Sequence, residues 1–146
     1  MENNQETRYY TIEDVAAMSG LSTRTVRSYL SAGQLEGKKM DGAWRFAPEQ
    51  FGAFLAQDMV RQSVRAKANA VVYDFLLTNR RGEGAACLIL DQPVSDGCGE
   101  RELCRELEDA VNELDLRWAY RFENGMARSI LAGSPAKLGA LLTRLG

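Results

Sequence analysis

Apolar residues recur at helical spacing through the first third of the chain. Ile12, Val15 and Ala16 share one helical face, with Met18 near its end. Ser19-Gly20-Leu21 interrupts this helix, because glycine leaves helical geometry at little cost. Ser22 stands where an N-cap is wanted. Val26, Tyr29 and Leu30 then form a second apolar face, and Ala32-Gly33 closes it. The pattern predicts two short helices around a tight turn, the second over 22–31. Asp41-Gly42 separates two short runs within 35–46, which predicts a hairpin. From Pro48, a further helix is expected to lay Phe51, Phe54 and Leu55 on the first two.

Between Asp58 and Thr78 no helix breaker occurs. Val64, Ala68, Val71 and Phe75 follow steps of four and three, as a coiled-coil seam does. Val60, Val72 and Leu76 widen the stripe near its ends. A lone helix of this length is marginal in water, so the stripe needs a partner. No partner is evident in the chain itself, so Val64, Ala68, Val71 and Phe75 are expected to form a dimer contact.

Asn79 to Gly84 reads as a linker. A strand is predicted at Ala86 to Leu90, a loop from Asp91 to Gly99, and a helix from Glu100 to Leu114. Strands Arg117 to Glu123 and Met126 to Ala132 flank Asn124-Gly125, and a last helix starts near Ser134-Pro135. Trp118, Tyr120 and Phe122 alternate, so they share a sheet face. The expected fold class is α+β. A mobile tail (1–8) precedes a winged helix–turn–helix (9–57), a connecting helix (58–80) and a small β-α-β-β-α domain (81–146). The last is expected as three strands with helices on one face.

Composition sharpens this picture in one respect. The 146 residues are 45% hydrophobic and 26% charged, with a net charge of −2. That is an ordinary globular mixture, without the bulk positive charge of a general nucleic-acid binder. Locally the balance reverses. From Ser22 to Arg45 five cations (Arg24, Arg27, Lys38, Lys39, Arg45) face two acids (Glu36, Asp41), whereas acids outnumber cations from Arg81 onward. A cationic reader on an acidic body fits a DNA-contacting face. No apolar leader or membrane-length run occurs, so a cytoplasmic location is expected, with no membrane partner.

Specific residues carry a resemblance. Tyr10-Thr11-Ile12, Asp14-Val15-Ala16, Ser19-Gly20-Leu21-Ser22, Arg24-Thr25-Val26-Arg27, Tyr29, Gly33, Leu35 and Trp44-Arg45-Phe46 stand in the order of a known pattern. The segment resembles the winged helix–turn–helix of the MerR and excisionase-like families. Ser28 departs from the aromatic that MerR proteins often carry just before the position of Tyr29. The short wing is closer to the excisionase-like branch. The resemblance implies a recognition helix over 22–31 with Arg24, Thr25, Arg27 and Ser28 facing the major groove. It also implies a wing with Lys38, Lys39 and Arg45 on the backbone, and dimerisation through a helix at 58–78.

Catalytic and metal chemistry find little support. The chain has no histidine, the commonest general base and metal ligand. Cys87, Cys98 and Cys104 lack the paired spacing of zinc sites; Cys87 and Cys104 read as core, Cys98 as exposed. Neither Gly82-x-Gly84 nor Gly97-x-Gly99 completes a phosphate loop. The expected function is therefore a homodimeric, sequence-specific transcriptional regulator of double-stranded DNA, not an enzyme, with no cofactor or metal. Whether a small-molecule effector exists is left open. An architectural or recombination-directionality factor is the alternative, and a protein-interaction adaptor a third reading.

Overall fold

The computed structural model describes residues 9–78, 84–95 and 97–146, the side chains of Gly97 and Cys98 excepted. The tail expected at 1–8, most of the linker at 79–84 and the exposure of Cys98 lie outside the described residues. Helices α1 (Ile12–Ser19) and α2 (Thr23–Ser31) lead to a hairpin of β1 (Lys38–Met40) and β2 (Ala43–Arg45). Helices α3 (Pro48–Ala56) and α4 (Asp58–Leu77) follow, then β3 (Ala86–Pro93), α5 (Gly97–Leu114), β4 (Arg117–Glu123), β5 (Met126–Gly133) and α6 (Pro135–Leu145). The fold is mixed α+β, as the sequence pattern predicts.

Local chemistry sets these boundaries. Thr11 and Asp14 form a capping box on α1: the Asp14 amide donates to Thr11 Oγ1 (3.1 Å), and the Thr11 amide to Asp14 Oδ2 (3.0 Å). Gly20 ends α1 at φ 74°, and a Cβ there would sit 3.3 Å from the carbonyl oxygen of Tyr120. The turn between the first two helices therefore needs glycine for its dihedral and for its approach to β4. At the hairpin tip Asp41 and Gly42 both take positive φ, as the two-residue turn requires. Tyr10 and Phe46 exchange backbone hydrogen bonds of 2.7 and 2.9 Å, which tie the entry to α1 onto the end of β2.

The three-stranded sheet has the order β3-β5-β4, antiparallel throughout. Its Tyr120, Ala127 and Leu131 join Leu107 and Val111 of α5 and Leu138 and Leu141 of α6 in one buried cluster. That cluster continues without a break into Val15, Met18, Val26 and Phe54 of the first three helices. Trp118 and Phe122 pack at its margin, so the aromatic alternation does serve packing of the sheet on its helices.

Two expectations are corrected here. The sheet does not carry helices on one face only. Ala119, Ile130 and Ala132, on the reverse face, form a second buried cluster with Ala68 and Val71 of α4, and Phe75 packs at its edge. Val64 is buried in the main cluster. The stripe Val64, Ala68, Val71, Phe75 thus finds its partner inside the chain and is not a free dimer seam. The helix needs an apolar surface to be stable, and the strands supply it. Smaller differences are in length: β3 runs to Pro93, three residues beyond the predicted strand.

A consequence is measurable. Val71→Glu places an unpaired carboxylate in the α4–sheet cluster and should cost about 3 kcal/mol or more of stability. Urea unfolding checks this. A variant as stable as the wild type would show that α4 does not rest on the sheet.

Candidate nucleic-acid interface

Helix α2 is amphipathic in a way that separates core from surface. Its N-cap Ser22 accepts from the Thr25 amide (3.1 Å). Val26 is fully buried, and Tyr29 meets Phe54 edge-on with centroids 5.3 Å apart. The Tyr29 hydroxyl reaches Ser63 Oγ of α4 at 3.5 Å. One side of α2 is therefore fixed to α3 and α4.

The other side is open. Arg24, Arg27, Ser28 and Ser31 are exposed, and with Thr23 and Ala32 they line one shallow surface. Neither arginine makes an ion pair among the described residues. Ser28 Oγ donates to the carbonyl of Arg24. Thr25 differs from the expectation: it is half-buried and its hydroxyl lies 2.9 Å from Ser22 Oγ, within the cap. Ser31, not among the residues expected at the groove, follows Arg24 by seven residues and Ser28 by three, and that spacing marks it as part of the same face.

The hairpin divides its cations. In the β1–β2 register Lys38 is opposite Arg45 and Lys39 opposite Trp44. Opposed residues share a face and successive ones alternate, so Lys38 and Arg45 lie on one side, Lys39 on the other. The Lys38 ammonium sits 4.9 Å from the Tyr9 ring centroid, and that of Lys39 5.5 Å from that of Trp44. Arg45 is half-buried and donates from Nη1 to the Trp44 carbonyl (2.9 Å). A single cationic surface, as expected from the sequence, is replaced by two.

Behind the reader, α5 fixes α1 in place. Arg105 clamps Asp14 with two hydrogen bonds, Nε to Oδ1 at 2.8 Å and Nη2 to Oδ2 at 2.9 Å. Buried Arg101 donates from Nη1 to the carbonyl of Tyr9 (3.0 Å). Asp14 is itself buried, so its carboxylate is satisfied by the helix cap and by Arg105 together.

Cys87 and Cys104 are poorly placed to react. Cys104 is buried and Cys87 half-buried, and burial pushes both thiols up, Cys104 far above the ordinary range. Among the described residues no three of Cys, Asp or Glu converge as metal ligands. No helix among them is long and apolar enough to cross a membrane.

Comparison with known proteins agrees with this geometry where it speaks. No curated protein and no solved structure matches the chain. Residues 9–59, however, match a protein family described as a helix-turn-helix domain, one related to the excisionase-like kind, and such a domain implies DNA binding.

Proposed function

We propose that the protein is a homodimeric, sequence-specific transcriptional regulator of the MerR or excisionase-like type. The observation that carries this reading is the pair Arg24 and Arg27, exposed and without ion-pair partners on the second helix of a helix–turn–helix whose opposite side is locked into the core. Arginine is the side chain best shaped to read guanine in the major groove, and Ser28 and Ser31 flank it with hydroxyls. Thr25 supports the helix cap and contributes at the groove's edge. Lys38 and Arg45 supply phosphate contacts, which set affinity and orientation rather than sequence. The acidic C-terminal half has little reason to approach DNA.

In this reading the homodimer uses a different part of α4 from the buried stripe. Tyr73, Leu76 and Leu77 are 60–83% exposed, and Ile89 of β3, near Tyr73, is 52% exposed. Tyr73 and Ile89 line one groove. Apolar side chains gathered this way mark an association surface. Tyr73→Glu with Leu77→Glu should yield folded monomers by light scattering. A folded dimer with both changes would remove this surface.

Selection of bound sequences from random DNA tests the whole reading. An inverted repeat, with half-sites spaced by about one helical turn or a multiple, is the expected result. Tandem direct sites would instead mark an architectural or recombination-directionality factor. Failure to enrich any sequence would overturn sequence-specific binding.

The hairpin gives a further expectation. Only one of its faces can lie against the DNA backbone. Lys38→Ala should lower the slope of log affinity against log salt by about 0.9, while Lys39→Ala leaves it unchanged. Equal losses from the two would show that the hairpin inserts edge-on or lies elsewhere.

A further inference from the structure

A groove of about 270 Å³ opens on the side of the molecule where α3 and the first half of α4 meet the turn from β4 to β5. Its apolar lining includes Leu55 of α3, Val64 of α4 and Phe122 of β4. Three arginines line it: Arg61 and Arg65, one turn apart on α4, and Arg121 on β4. Among the described residues only one acid forms an ion pair with any of them. Arg65 Nη2 meets Glu123 Oε1 at 3.2 Å, with both side chains more than two-fifths exposed. Arg61 and Arg121 make no ion pair within 4 Å among the described residues. Asp91 feels the charge of Arg121, but Arg128 already holds its two oxygens at 2.8 and 2.9 Å.

In a chain of net charge −2, three arginines around one apolar cleft make a local excess of positive charge. Planar guanidinium groups hold carboxylate and phosphate oxygens in pairs, and an apolar floor holds the rest of such a molecule. We propose that this groove binds a small organic anion with an apolar body, its carboxylate or phosphate held by Arg61 and Arg121 and its body resting on Leu55, Val64 and Phe122. The two walls come from the two halves of the chain, so an occupant joins the helix–turn–helix to the C-terminal sheet. Binding to the folded chain alone then raises its stability by mass action.

The test uses the full chain and two probes, hexanoate and phenyl phosphate, with hexanol and inorganic phosphate as controls. The expected result is amide chemical-shift changes confined to residues 52–65 and 119–124, with dissociation constants of about 1 mM, as suits molecules of this size. Arg61→Ala with Arg121→Ala should weaken both probes about tenfold or more. That variant should stay folded, with a melting temperature close to the wild type without probe, since Arg61 is exposed, Arg121 is half-buried, and neither has an ion pair to lose among the described residues. The proposal is overturned if neither probe shifts these amides at 10-fold above that concentration (about 10 mM). It is overturned equally if hexanol or inorganic phosphate acts as strongly, or if the double variant binds unchanged. Shifts of the same amides by duplex DNA, with none from the small anions, would assign the groove to the DNA interface instead.

Discussion

Replacing Arg24 and Arg27 together with alanine is expected to abolish sequence-specific binding while leaving the fold intact. Each arginine that pairs with a guanine edge contributes about 1–3 kcal/mol of discrimination, so the pair removes roughly 2–6 kcal/mol. Binding to random DNA should fall much less, because the hairpin and the backbone contacts remain. Stability should hardly change: both side chains are exposed, and neither has an ion pair to lose among the described residues. Fluorescence anisotropy with the selected site and with a scrambled duplex separates the two affinities, and a thermal melt checks the fold. Equal loss on both duplexes would make the arginines phosphate clamps. A collapsed melting temperature would show that α2 turns this face inward.

That prediction stands on the part of the chain most legible in its sequence. Over residues 10–46 the capping residues, the Gly20 stop and the apolar spacing all point to one arrangement, and local chemistry decides it. The hairpin tip follows from Asp41-Gly42 alone. The β4 and β5 spans are similarly readable, because periodicity and the Asn124-Gly125 turn agree, whereas α5 begins at Gly97, three residues inside the predicted loop.

What the sequence left hidden involves partners far along the chain. The stripe Val64, Ala68, Val71, Phe75 is visible, but the partners of Ala68 and Val71, namely Ala119, Ile130 and Ala132, lie about fifty residues or more away and are mostly alanine. They alternate with the aromatics of β4 and with Ser129 and Leu131 of β5, so this face of the sheet reads as weakly apolar and looks like solvent. A real helix-binding surface is therefore invisible in the sequence, and the stripe reads as a contact with a second copy. The Arg105–Asp14 clamp joins residues 91 positions apart, and no local pattern announces it. The division of Lys38 from Lys39 was available from strand alternation once the hairpin register was set at Asp41-Gly42.

Glu100 carries the largest expected effect of pH. It is 3% exposed, near the start of α5, and its Oε1 has no hydrogen-bond partner among the described residues. Burial pushes its carboxyl from an ordinary 4.5 up to about 8. Its charge also acts on the Cys104 thiol and the Tyr120 hydroxyl, both buried beside it. The folded state therefore keeps this proton over a range in which the unfolded chain has released it. As pH rises from about 4.5 to about 8, the unfolded chain gains relative to the folded one, by about 1.4 kcal/mol per pH step. Above about 8 both states are ionised and the loss levels off, near 5 kcal/mol in total. Glu100→Gln has nearly the same shape and cannot ionise. The difference in unfolding free energy between variant and wild type should therefore grow in the variant's favour from pH 5 to pH 8, by about 4 kcal/mol. Comparing the two proteins by urea unfolding at each pH cancels every other titrating group. The neighbouring residue gives the effect a place in the fold: Arg101 holds the Tyr9 carbonyl, at the entry to the helix–turn–helix. Ionisation of Glu100 should then loosen the junction between reader and C-terminal half first. Hydrogen exchange at the start of α1 and of α5 should rise with pH in the wild type, beyond the intrinsic base catalysis seen in Glu100→Gln. Parallel stability curves for the two proteins would mean that Glu100 is solvated and charged at neutral pH, and that α5 does not bury it.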